Sequence, residues 1–265
     1  MVSRAKELAL HSLALCDRDG LYGSVRAFTR ARDIEQRVIV GAELRLAATA
    51  SAAEPGGEPG ILALLVENHA GYTNLCRLLT RAHADRPKGE SALEIDWLSE
   101  HAEGLVAIVP AFEKPDTRAP AQLLECVHDV FGERGFLAIH RRFDAFDRDR
   151  MDATCANSRR YGLPIVASAR PLYHQRARKP LADVLHCIRE GTTLDRAGMA
   201  LMSNAEAYLR SEAQMKRLFA DHPEWVSRTA EVASALGFRM NELNYRFPCQ
   251  LLPGETPDSK LRRLT

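Results

Sequence analysis

Short apolar runs recur along this chain, separated by stretches with helical spacing, and that alternation constrains the fold more than any other feature. Val38 to Leu44, Ile61 to Val66, Leu105 to Val109, Gly135 to His140 and Leu163 to Ser168 are apolar at nearly every position and rich in Val, Ile, Leu and Ala. Runs of this kind read as strands buried on both faces, because a half-exposed strand would alternate apolar with polar residues. Leu13 to Cys16 reads as an earlier strand ending at Asp17. Between them the spacing predicts helices over Tyr22 to Glu35, Ala70 to His83, Gln122 to Phe131 and Asp147 to Tyr161. Strands separated by helices imply βαβ units, hence an α/β fold with a largely parallel sheet or barrel.

After Ser168 the pattern becomes helical. Pro180 to Arg189, Ala205 to Leu209, Ser211 to Ala220 and Pro223 to Leu236 are the expected helices. Asp221 is the expected N-cap of the last, with Pro223 in its first turn and Gly237 as its stop. Thr49 to Gly60 is rich in Gly, Pro and small residues and is expected to be a mobile loop. The tail from Phe247 to Thr265 carries three prolines, and Lys260 to Thr265 reads as a helix cut in mid-run.

Composition bounds the function. The 265 residues are 46% hydrophobic, enough for a substantial core. Thirty-six basic residues balance 35 acidic ones for a net charge of +1, which gives no electrostatic footprint for nucleic acid and no charged tail. No run approaches the roughly 18 apolar residues of a membrane helix. The cysteines at 16, 76, 126, 155, 187 and 249 are scattered without a C-x-x-C, as expected of reduced thiols in a cytoplasmic protein.

In parallel α/β folds chemistry gathers at the C-terminal ends of strands. Those ends carry Asp17-Arg18-Asp19, Glu43, His140 and Arg170, with His174 four residues beyond. Carboxylates and histidines so placed are candidate ligands for a divalent ion. They also have a structural reading, in which Asp17 and Asp19 cap the following turn and Glu43 pairs with an arginine. His83 is expected to cap its helix or face solvent.

The stretches RAKELALHSLALCDRDGLYGSVRAFTRA, VIVGAEL and LLVENHAGYTNLCRLLTRA resemble the polymerase-and-histidinol-phosphatase (PHP) domain. RARKPLADVLHCIREGTTLDRAG with NAEAYLRS is similar to the helical region that closes that domain at the N-terminus of bacterial DNA polymerase III alpha-type subunits, in their error-prone branch. LLPGETPDSKLRRLT resembles the segment where that family's polymerase core begins. The resemblance implies a distorted (β/α)7-type PHP barrel lacking its first strand, over about residues 1–240 and closed by helices over 180–240. Residues 241–265 would open the polymerase core. It also implies that Leu13 to Cys16 or its neighbour is an exposed edge, so that the isolated chain dissolves poorly.

Active members of the family hold two or three metals that activate water against a phosphate ester. Against their pattern, the opening H-x-H is absent here, Asp17 and Glu43 match, and Arg18, Arg170 and Leu172 stand at ligand slots. Arginine offers five donors, no lone pair and a permanent charge. That charge about 4 Å from a divalent ion costs roughly 8 kcal/mol at an effective dielectric near 20. Structural zinc in finger peptides gains only about 10–16 kcal/mol. The expectation is therefore no catalytic residue and no metal in this piece, with Arg18 and Arg170 pairing with Asp17, Asp19 or Glu43. The resemblance further implies Mg²⁺ in a downstream polymerase core, that core as partner, DNA reached through it, and accessory mutagenesis proteins as further partners. Two rivals remain open: a phosphoesterase or 3′–5′ exonuclease in which Asp17, Glu43, His140 and His174 hold one metal, and a standalone binding module.

Overall fold

The computed structural model describes residues 1–47, 60–112, 120–243 and 251–265. The loop expected over 49–60 lies almost wholly outside the described residues. The elements run α1 (Val2–Glu7), β1 (Ser12–Arg18), α2 (Ser24–Asp33), β2 (Arg37–Arg45), β3 (Ile61–Val66), α3 (His69–His83), α4 (Trp97–His101), β4 (Leu105–Pro110) and α5 (Ala121–Cys126). They continue with β5 (Gly135–Ile139), α6 (Asp147–Tyr161), β6 (Ile165–Ala167), α7 (Lys179–Arg189), α8 (Leu194–Ala197), α9 (Glu212–Leu218), α10 (Pro223–Ala235) and α11 (Pro257–Leu264).

The strands form one curled six-stranded sheet in sequence order, with β1 and β6 at its edges. β1, β2, β4, β5 and β6 run in one direction, as the alternation predicts; β3 is reversed and pairs antiparallel with both neighbours. Leu46 N–H donates to the Gly60 carbonyl at 2.8 Å, so β2 ends beside the residue that opens β3.

The helix-covered face buries Ala42 and Leu44 of β2, Leu62 and Leu64 of β3, Ala107 and Val109 of β4, and Leu137 and Ile139 of β5, against Leu75 and Leu78 of α3. The opposite, concave face buries Ile39, Leu65, Val106, Phe136, Ala138 and Val166 around Leu236. α3 starts at Asn68, whose carboxamide oxygen accepts from Gly71 N–H. Gly71 lets this turn lie against Gly104: a Cβ there would stand 1.8 Å from the Gly104 carbonyl oxygen.

The β6 edge is covered. The outward carbonyls of β6 are met by α10, with Arg228 Nη1 donating to Ile165 O at 2.6 Å and Thr229 Oγ1 to Ala167 O at 2.9 Å. An edge satisfied by side chains cannot template further pairing. β1, at the other edge, packs one face against α1, α2 and Leu209.

Three helical expectations are corrected. Residues 205–209 are extended, and Leu209 N–H donates to Tyr173 O while Ala207 O accepts from Tyr173 N–H. Packing of Leu209 among Val2, Ala5 and Leu13 outweighs local propensity there. The helix over 122–131 is α-helical only to Cys126 and widens to a π turn over Val127–Phe131. The N-cap of α10 is His222, because both carboxylate oxygens of Asp221 are engaged by Arg141 at 2.9 and 2.6 Å.

Candidate functional site

The common direction of five strands brings Asp17 to Asp19, Glu43 to Arg45, Ala111, His140 to Arg142 and Ser168 to Arg170 to one end of the sheet. What their side chains do there depends on which face each one takes.

Asp17 turns to the helix side. Its Oδ2 accepts from Gly23 N–H, the N-cap of α2, beside Leu15. Glu43 lies between Ala42 and Leu44, which face the helix-covered core, so strand alternation sends it to the concave side. The two carboxylates therefore sit on opposite faces of the sheet. Asp19 is buried, 3% exposed, with a left-handed backbone at φ 54°. Its carboxylate accepts from Arg45 N–H at 2.9 Å and from Arg45 Nε at 2.6 Å. Its carbonyl faces His83 Nε2 at 2.7 Å, while His83 Nδ1 lies 3.0 Å from Glu90 O. His83 thus bridges two carbonyls rather than capping α3 or facing solvent.

Arg170 reaches across the mouth. Its Nε lies 3.6 Å from Glu43 Oε1, and its Nη1 donates to Ala111 O at 3.3 Å. Arg18 is exposed and forms no salt bridge among the described residues; its charge helps hold the Glu190 carboxyl below the usual range, after the larger effect of Arg189. His140 is buried at the end of β5. His174 stands elsewhere, on the side of α1. Burial first, then the N-terminal amine, Arg178 and Arg4, push its pKa down.

Arg141 and Arg142 at this end, like Arg45, escaped the sequence reading. Arg142 is 2% exposed, and its guanidinium forks onto Ala169 O and Arg170 O, both at 2.9 Å. Arg141 fixes α9 and α10 by donating to Leu218 O and Asp221, with its guanidinium over the Phe219 ring. The signal available was His-Arg-Arg directly after an apolar strand.

Each candidate carboxylate at this end already has a partner or a different orientation. Asp17 faces away, Asp19 is sealed by Arg45, and Glu43 has a cation beside it. Among the described residues no three His, Cys, Asp or Glu side chains converge so as to hold an ion. The thiol nearest the mouth, Cys16, has its pKa pushed up by burial and then by Glu43 and Asp17. Cys126 is pushed up to about 11, chiefly by burial. Arg45→Met should strand the Asp19 carboxylate inside the protein. We expect a loss of about 2–3 kcal/mol in denaturant unfolding, with Asp19→Asn in the same chain recovering part of it.

The arrangement is an α/β half-barrel whose strand ends converge on a mouth lined with arginine and carboxylate. The PHP domain family matches residues 1–151, and the chain belongs to it. The chain is 39% identical over 257 residues to the error-prone DNA polymerase of Anaeromyxobacter dehalogenans strain 2CP-1, covering 94% of the chain and 22% of that protein. It is 35% identical over 265 residues to the error-prone DNA polymerase of Sinorhizobium medicae, covering 100% of the chain and 23% of that protein. It thus spans about a quarter or less of the length of these relatives. Among solved structures, a putative metal-dependent phosphoesterase from Bifidobacterium adolescentis is similar at 13% identity and a TM-score of 0.42, over 63% of this chain and 79% of that one. Among the described residues no helix is long and apolar enough to cross a membrane.

Proposed function

We propose that this chain is the N-terminal PHP portion of an error-prone, repair-associated DNA-directed DNA polymerase, and that it supports the polymerase core as a scaffold without cutting phosphoesters itself. The observation that carries this reading is the outward face of α7. Leu181, Val184, Leu185 and Ile188 recur at helical spacing and are all exposed, Ile188 at 71%. Of the helix only Cys187 is fully buried. An amphipathic helix normally turns such a stripe inward, and a contiguous apolar patch left outside marks a partner surface. That relatives are more than four times as long as the matched segment supports reading this partner as a polymerase core in the same protein. In this reading DNA and Mg²⁺ belong to that core. Accessory mutagenesis proteins are further partners, the compartment is the cytoplasm, and the PHP metal site is degenerate.

The test is hydrolysis. Purified chain with Mn²⁺ and bis(p-nitrophenyl) phosphate is expected to give no turnover above the Glu43→Gln variant. Metal-dependent turnover that Glu43→Gln abolishes would establish the phosphoesterase reading instead.

A further inference from the structure

We infer that the Arg170 guanidinium is the resident cation of the mouth, a side chain that clasps the ends of β2 and β4 to the turn after β6 where a bound ion would otherwise neutralise Glu43. The turn is built to aim it. Arg170 has φ 38°, a left-handed backbone that a residue with a Cβ adopts at a cost. That conformation is pinned from three sides. Arg170 N–H donates to Ser168 Oγ at 2.9 Å, and the buried Arg142 fork holds the carbonyls of Ala169 and Arg170. Beneath the turn, Arg142 O accepts from Asn204 Nδ2 at 2.6 Å. The side chain then returns across the concave face to Glu43 Oε1 and Ala111 O.

The charges are well shielded, with side-chain exposures of 18% for Arg170 and 20% for Glu43, so their coupling is not simply lost to solvent. Glu43 stands on β2, Ala111 follows β4, and Arg170 follows β6. One guanidinium therefore spans the curl of the sheet. Asp17 and Asp19 are already committed to Gly23 and Arg45, which leaves Glu43 as the carboxylate to be balanced. The clasp is a property of the half-barrel itself and holds whether or not a polymerase core docks on α7.

The experiment is a double-mutant cycle on the 265-residue chain, read by thermal unfolding in EDTA and in Mn²⁺. Arg170→Met is expected to lower the melting temperature by roughly 4–8 °C. Adding Glu43→Leu to it should recover at least half of that loss, because the stranded carboxylate is removed. Arg170→Lys, which keeps the charge but not the fork, should melt between Arg170→Met and the parent. Neither EDTA nor Mn²⁺ should move the parent. Additive single effects, a Lys variant as unstable as the Met variant, or a saturable rise of the parent's melting temperature with Mn²⁺ would each overturn the assignment. Hydrolytic turnover by the parent would sink the scaffold reading and leave this coupling measurable.

Discussion

Arg142→Leu should cost the folded chain about 3–5 kcal/mol and lower its melting temperature by roughly 6–20 °C. The substitution roughly keeps the apolar stem but removes the fork that satisfies Ala169 O and Arg170 O. Those carbonyls sit in a turn tightened around Arg170, and each buried acceptor left without a donor costs about 1–3 kcal/mol. A second loss follows from the geometry. With the fork gone, the left-handed backbone at Arg170 relaxes, and the contacts to Glu43 and Ala111 go with it. Arg142→Lys should recover less than half, because an ammonium is a point charge and cannot serve two diverging carbonyls at once. Unfolding by heat and by urea checks both variants. A leucine variant that melts within about 2 °C of the parent would show that the turn stands without Arg142.

Part of this architecture is legible in the residues, and the reason lies in what each signal encodes. The apolar runs predicted β2, β4 and β5 within a residue or two, because continuous burial leaves a continuous pattern. The same pattern is silent on direction, and so the reversal of β3 could not be read from Ile61 to Val66. Side-chain face was equally hidden. Strand-end reasoning sent Asp17 and Glu43 into one mouth, yet Asp17 pairs in register with Ala42, and the period of two places it on the helix side. Arg170 beside Glu43 matches one of the pairings the family resemblance implied, in which an arginine at a ligand slot meets Asp17, Asp19 or Glu43. Arg18 was given the same role on the same grounds, but it is exposed and makes no such pair among the described residues. Asp19 found its arginine at position 45, on the neighbouring strand. Arg142 was not singled out because an arginine at a strand end is ordinarily solvated; its burial follows from the turn after β6 folding over it, a contact between residues 27 and 28 positions apart. The extended stretch 205–209 was missed for a related reason, since its partner Tyr173 lies in a loop with no strand pattern of its own.

Two charges on α7 are expected to separate folding from assembly. Leu185 and Ile188 are 57% and 71% exposed, so Leu185→Glu with Ile188→Glu removes little packing within the chain. Exposed substitutions of this kind usually change stability by less than about 0.5 kcal/mol each, and the melting temperature should move by no more than about 4 °C. The same pair placed in a buried interface would desolvate two carboxylates against apolar surface, a penalty of several kcal/mol. Supplying the remaining polymerase segment of the Anaeromyxobacter dehalogenans relative in trans, we expect the double variant to bind at least tenfold more weakly than the parent, which corresponds to about 1.4 kcal/mol or more. Arg148→Glu on α6 serves as the control: its side chain is 92% exposed and lies off the apolar stripe, so it should leave both readouts in place. Loss of binding confined to α7, in a chain that still folds, assigns the stripe to the polymerase core. Unchanged affinity in the double variant, with the parent binding normally, would remove α7 from the interface and with it the observation on which the scaffold reading stands.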